Sequence, residues 1–117
     1  MKADQRQRKV AFADKRLQEA FEQLKTGRFE EQVLAGFLSQ AIVVLLENPF
    51  AGVVVPRRLW PLEYVRRYRI NHLRKYDLPD GWRLVYSIKG NDVEIMAVIL
   101  EWFDHKNYEK RFGYHVK

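Results

Sequence analysis

The stretch Leu73–Leu100, LRKYDLPDGWRLVYSIKGNDVEIMAVIL, decides the fold. Three β-rich runs, "LRKYDL", "WRLVYSI" and "VEIMAVIL", are separated by "PDG" and "KGND", and Pro, Asp, Gly and Asn are residues that reverse a chain between strands. The pattern predicts a three-stranded antiparallel meander. With Pro79-Asp80-Gly81 as a three-residue loop, Leu78 faces Trp82, Asp77 faces Arg83, Tyr76 faces Leu84 and Lys75 faces Val85. Alternation then sends Tyr76, Leu78, Trp82, Leu84 and Tyr86 to one side, the core, and Lys75, Asp77, Arg83 and Ser87 to the other. One sheet face is expected to be polar and cationic.

Upstream, Lys9 to Phe12 reads as a short strand after a charged start, and residues 1–9 are expected to be disordered. Asp14 is a plausible N-cap for a helix carrying Leu17, Ala20, Phe21 and Leu24 at helical spacing and stopping at Gly27. A second helix is expected over Phe29–Glu47, with Val33, Phe37, Leu38, Ala41 and Leu45 on one stripe, ending before Asn48-Pro49 because the residue before proline resists helical geometry. Its second half, "AIVVLLE", is apolar nearly all round, and its β-branched residues leave a strand as the competing reading. Residues 48–72, broken by Pro49, Gly52, Pro56 and Pro61, read as a long basic loop or insertion in which only "PLEYVRRY" looks like a short helix. The expected fold class is α+β: two N-terminal helices packed on a small antiparallel sheet, forming one domain over 1–117.

The chain of 117 residues, 47% of them hydrophobic, suffices for one core. With no cysteine, disulfides, thiolate nucleophiles and cysteine-ligated zinc are excluded. No apolar run is read as approaching the roughly 20 residues of a membrane span, and the first nine residues lack the apolar centre of a secretory signal. A soluble, cytoplasmic protein without a membrane partner is expected. The formal charge of +6 is concentrated between Pro56 and Tyr76, where seven basic residues face only Glu63. Interleaved with Trp60, Tyr64, Tyr68 and Tyr76, they suit a polyanion whose phosphates need cations and whose bases stack on rings; a solvated basic surface or an acidic protein partner satisfies the same pattern.

After the third strand comes "ILEWFDHKNYEKRF", residues 99–112, which brings His105, Lys106 and Tyr108 to the rim of the cationic face. Cleaving RNA without a metal needs a base for the 2′-hydroxyl proton, a cation for the phosphoryl oxygens and an acid for the leaving 5′-oxygen. His105, Tyr108, Arg83 and Lys75 supply those kinds of group, with base and acid not assigned between them. Arg83 opposite Asp77 is equally readable as a cross-strand ion pair. His72 and His115 read as surface residues. No phosphate-binding glycine loop, convincing metal site or cofactor motif is present in the sequence.

"DLPDGWRLVYSI" followed by "VEIMAVILEWFDHKNYEKRF" resembles the carboxy-terminal half of RelE/ParE-superfamily toxins, in particular a RelE-like branch with a "GxRLVY" strand and a closing "HKxYE" segment. The resemblance spans about residues 10–112 and is specific from Leu73 onward. It implies a RelE-like fold and a metal-independent endoribonuclease that cuts mRNA on the ribosome, inhibits translation and is silenced by a cognate antitoxin protein. It also implies roles: Arg83 as the phosphate-contacting strand arginine, Lys75 as a basic residue of the preceding strand, His105 and Tyr108 for proton transfer and base stacking. Lys106, Arg74, Arg69 and Asp77 are the substrate-contacting candidates around them. Asp77 stands where that pattern often carries another basic residue, and the Pro56–His72 region is longer than in compact members. The alternatives are a ParE-like DNA gyrase inhibitor of the same fold and a non-catalytic basic RNA-binding module.

Overall fold

The computed structural model describes residues 4–113, with the order β1 (Gln7–Phe12), α1 (Lys15–Lys25), α2 (Phe29–Glu47), β2 (Val53–Val54), β3 (Arg74–Asp77), β4 (Arg83–Gly90), β5 (Glu94–Phe103), α3 (His105–Phe112). The strands form one five-stranded sheet in the order β1-β5-β4-β3-β2. The β3–β4 register is the one expected, Lys75 with Val85, Tyr76 with Leu84 and Asp77 with Arg83. The sheet is mixed rather than antiparallel, because β1 runs parallel to β5, from Gln7 opposite Glu94 to Phe12 opposite Ile99. The helices therefore follow a first strand instead of preceding the sheet; the strand read over Lys9–Phe12 is present, and residues 7 and 8, expected to be disordered, extend it. Expectations for residues 1–3 and for His115 fall outside the described residues.

Both helices begin and end where local chemistry dictates. Asp14 caps α1 by accepting from the Leu17 N–H at 2.9 Å. At the start of α2 the Glu31 carboxylate reaches back to the Arg28 N–H at 2.8 Å. Leu34, Leu38, Ala41 and Leu45 of α2 and Phe21 of α1 pack on Leu78, Leu84, Tyr86, Ala97 and Ile99 of the sheet. Each large side chain buried in this layer contributes roughly 1.5–3 kcal/mol of gross stabilisation. By length and composition alone α2 is long and apolar enough to cross a bilayer, contrary to the sequence reading. In this fold one face of it, Leu34, Leu38, Ala41 and Leu45, packs on the sheet.

The opposite sheet face is where the structure departs most from expectation. It is not an open cationic surface but a second core, in which Val55, Tyr64, Ile70 and Leu73 from the 48–72 region and its end meet Val85, Leu100, Tyr108 and Phe112. The insertion thus folds back over the sheet, and "PLEYVRRY" does form a helical turn, wound wide as a π turn over Tyr64–Tyr68. Leu100 is the extra residue of a β-bulge between the Val85–Glu101 and Tyr86–Ile99 pairs, and it points into this core fully buried. Ser87, expected on a polar face, is buried and donates its hydroxyl to the His72 carbonyl at 2.6 Å. The segment before β2 is tied down by the Tyr86 hydroxyl, which donates to the Pro49 carbonyl at 2.7 Å and accepts from the Gly52 N–H at 2.9 Å. A Cβ at Gly52 would come within 2.5 Å of the Lys75 carbonyl oxygen, so only glycine permits this approach.

Candidate functional site

The rim of the second face, where the β3–β4 hairpin meets the start of α3, gathers the residues singled out in the sequence. The hairpin turn is closed by Trp82 N–H on the Pro79 carbonyl and by Leu78 N–H on the Trp82 carbonyl. It needs left-handed backbone at Asp80 (φ 59°) and Gly81 (φ 80°). This turn holds the Arg83 guanidinium: Nη1 donates to the Gly81 carbonyl at 2.8 Å, and Nε lies 3.1 Å from Asp77 Oδ1. Nη2 lies 3.4 Å from Nδ1 of His105. Arg83 and His105, separated by 22 residues in sequence, thus touch each other.

His105 is positioned by an element the sequence reading missed. Residues His105–Phe112 form α3, capped by Asp104 accepting from the Asn107 N–H at 2.8 Å and ended by left-handed Gly113. On a helix, i and i+4 side chains are neighbours, and Glu109 Oε2 lies 3.3 Å from His105 Nε2. With Nδ1 facing a guanidinium, which only donates, and Nε2 facing a carboxylate, which only accepts, the ring fits the tautomer that carries its proton on Nε2. Glu109 is therefore the orienting partner of His105. The signal was present in "HKNYE" as a His and a Glu at helical spacing.

Lys75 joins from β3, with its ammonium 3.3 Å from Asp77 Oδ1. Asp77 bridges the two cations and, with its side chain 62% exposed, is free to turn outward. Tyr108, expected as a proton donor or stacking ring, is only 3% exposed. Its ring stacks on Phe112 at 4.5 Å between centroids, and the Lys75 and Arg83 cations sit over it at 5.9 and 5.7 Å. It is a platform under the two cations, which cation–π attraction helps to hold in place. Lys106 is exposed on the first turn of α3, beside His105.

Two candidates lie elsewhere. Arg74 points to the other sheet face, donating Nε to His72 Nε2 at 2.9 Å and Nη1 to the carbonyls of Phe50 and Gly52. It clamps the segment leading into β2, as its alternation with Lys75 requires. Burial, helped by the Arg74 charge, holds His72 below its ordinary pKa, consistent with a neutral ring accepting that bond. Arg69 sits on the insertion, exposed, just beyond the π turn.

An open groove of about 670 Å³ lies apart from Arg83 and His105. It is lined by Arg16, Arg67, Trp102, Glu101, Lys110 and Arg111 among others. Its charges mostly satisfy one another: Arg111 pairs with Glu63 and, at 3.2 Å, with Glu101, which also accepts from the buried Tyr64 hydroxyl at 2.6 Å. Arg111 holds the Glu63 carboxyl below its usual range, and burial pushes the Tyr64 phenol up. This network bolts the insertion to β5 and α3. No cluster of His, Asp and Glu suited to a metal ion occurs among the described residues. Comparison of the chain with protein-family models, with curated proteins and with solved structures gave no match.

Proposed function

We propose that the chain is a metal-independent endoribonuclease of the RelE-like toxin type, cutting mRNA on the ribosome. The observation that carries this reading is the contact between the Arg83 guanidinium and the His105 imidazole, 3.4 Å apart on a rim that also holds Lys75. A single phosphodiester seated there has cations on its non-bridging oxygens and an imidazole beside its ribose. His105 takes the proton of the 2′-hydroxyl, whose oxygen attacks the phosphorus; the bond to the 5′-oxygen breaks, and that oxygen is protonated as it leaves. The products are a 2′,3′-cyclic phosphate and a free 5′-hydroxyl. Arg83 and Lys75 stabilise the charge gathering on the phosphoryl oxygens. Glu109 orients the ring and stabilises the imidazolium, while Lys106, the exposed ammonium alongside, is the group at hand to protonate the leaving oxygen.

Asp77 stands between Lys75 and Arg83, where the phosphate would bind. A phosphate entering between Lys75 and Arg83 displaces a carboxylate that is well exposed and thus weakly held. Silencing by an acidic antitoxin is consistent with the +6 charge and with the exposed apolar side chains of Phe29, Val43 and Leu46 on α2. The test is to map transcript ends after induction of the wild-type protein, Arg83→Ala and His105→Ala. New 5′-hydroxyl ends within coding sequence, lost in both variants, support the reading; intact transcripts with folded wild-type protein refute it.

A further inference from the structure

Between Pro56 and Leu73 the chain carries five arginines and no lysine, with Glu63 as the one carboxylate. Arg67 is committed inward, 3.3 Å from Asp14 Oδ2 and 3.7 Å from Glu63 Oε2. The other four, Arg57, Arg58, Arg66 and Arg69, are exposed and have no carboxylate in ion-pair reach among the described residues. They are carried on a rigid mount. Val55 and Tyr64 are buried beneath them, and the Val55 N–H is bonded to the Leu73 carbonyl at 2.9 Å.

The rings interleaved with these arginines are not open stacking platforms, against the sequence expectation: one is buried, and Trp60 and Tyr68 are partly buried and engaged by neighbours. Tyr64 is fully buried, and the Tyr68 hydroxyl is turned onto Asp14 at 3.0 Å. Trp60 donates its indole N–H to the Val55 carbonyl at 2.8 Å, and its ring is covered by Arg57 at 4.5 Å. Single-stranded RNA is held by cations together with exposed aromatic faces. A duplex offers phosphates and shape but no free base faces, so exposed cations whose neighbouring rings are buried or already engaged match a duplex. Arginine is the cation whose planar fork fits phosphate oxygens in pairs. A separate observation concerns Arg69: its backbone is left-handed (φ 52°, ψ 46°), where glycine or asparagine sits more easily. A long cationic side chain is kept there against backbone strain, as happens at sites whose side chain is used.

We propose that this arginine face docks the sugar–phosphate backbone of a folded, A-form RNA, separately from the strand held at Arg83 and His105. It rests on the ribonuclease reading for its setting, since it names the second RNA surface such an enzyme grips, but its test needs no cleavage. In a His105→Ala background, binding is measured to a duplex of about 16 base pairs and to a single strand of equal length, between about 50 and 200 mM salt. The triple variant Arg57→Gln, Arg58→Gln, Arg66→Gln is expected to lower the slope of log affinity against log salt for the duplex by about 2.7, and to affect the single strand less. Arg69→Gly is expected to lower the duplex slope by about 0.9 while keeping or raising the melting temperature, which a merely structural arginine would not do. An unchanged duplex slope in the folded triple variant overturns the proposal, as does an equal loss for both RNAs. So does retained duplex binding with lost binding of polyglutamate, which would assign the face, with its exposed Leu62 and Val65, to an acidic protein. A wild-type protein that grips the duplex through these arginines but cuts no mRNA leaves this inference standing and removes the nuclease; cleavage with duplex binding indifferent to the arginines does the reverse.

Discussion

Replacing Asp77 by Asn is expected to tighten RNA binding, although it removes two ion pairs. Asp77 Oδ1 lies 3.3 Å from the Lys75 ammonium and 3.1 Å from Arg83 Nε, and each pair must be broken or shared before a phosphate takes both cations. In a water-like dielectric each contact amounts to about 1.3 kcal/mol of Coulomb energy at such distances. Measured values for exposed pairs are lower, about 0.2–1 kcal/mol, because side-chain ordering and salt offset the attraction. Two pairs therefore withhold about 0.4–2 kcal/mol from the ligand, which is about two- to thirtyfold in affinity. The fold should lose less than about 1 kcal/mol, since Asp77 is mostly solvated and Arg83 keeps its bond to the Gly81 carbonyl. The assay is RNA affinity at fixed salt for His105→Ala with and without Asp77→Asn, with thermal melts of both. Weaker binding by the protein carrying Asp77→Asn, with its melt unchanged, would show that Asp77 holds the cations in place for RNA instead of competing with it, and would refute the reasoning.

Three further outcomes follow from named contacts. Tyr64→Phe removes the hydroxyl donated to Glu101 at 2.6 Å and should cost about 1–3 kcal/mol by chemical denaturation, whereas Tyr64→Ala, which also empties the second core, should cost about 3–5 kcal/mol. The Leu17 N–H, followed by the Tyr68 hydroxyl and nearby arginines, holds the Asp14 carboxyl below its ordinary value of 3.8. A depressed carboxylate stabilises the fold above that ordinary value and loses its contribution as pH falls through the folded one. Asp14→Asn, which keeps a capping oxygen, should therefore flatten the stability-versus-pH curve below about pH 4. His72 titrates below its ordinary 6.5 in the fold, so the unfolded chain takes up its proton first and stability declines as pH falls from about 6.5 toward the folded value. His72→Gln should remove that part of the decline in urea midpoints measured from about pH 7.5 to about pH 5.

The hairpin that bears Arg83 was legible because local chemistry specifies it. "PDG" sets the turn, alternation sets the faces, and slipping the register by one residue would take Leu84 and Tyr86 out of the core they share with α1 and α2. The contact of Arg83 with His105 was legible only as far as both residues sat on or beside adjacent strands. What hid the rest was long-range packing. Val55, Tyr64, Ile70 and Leu73 are scattered among arginines and prolines, so no periodicity marks them as core. Val85, lying between Arg83 and Ser87 on the supposedly polar face, was the hint that something covers it. The helix α3 was hidden because just two of its residues, Tyr108 and Phe112, are buried, yet their spacing of four, the Asp104 cap and Gly113 specify it. Without α3 there was no reason to pair His105 with Glu109. The strand β1 was readable, but its parallel partner β5 lies more than 80 residues away, and nothing local encodes that choice.

The most direct measurement is the single-turnover rate of cleavage of ribosome-bound mRNA by the wild-type protein, Arg83→Ala, His105→Ala and the double variant. If the guanidinium and the imidazole act on one phosphodiester, each single change should lower the rate by about 10²–10⁴-fold, and the double variant should fall well short of the product of the two losses. Wild-type rates in either folded single variant, or losses that simply multiply, would contradict the account.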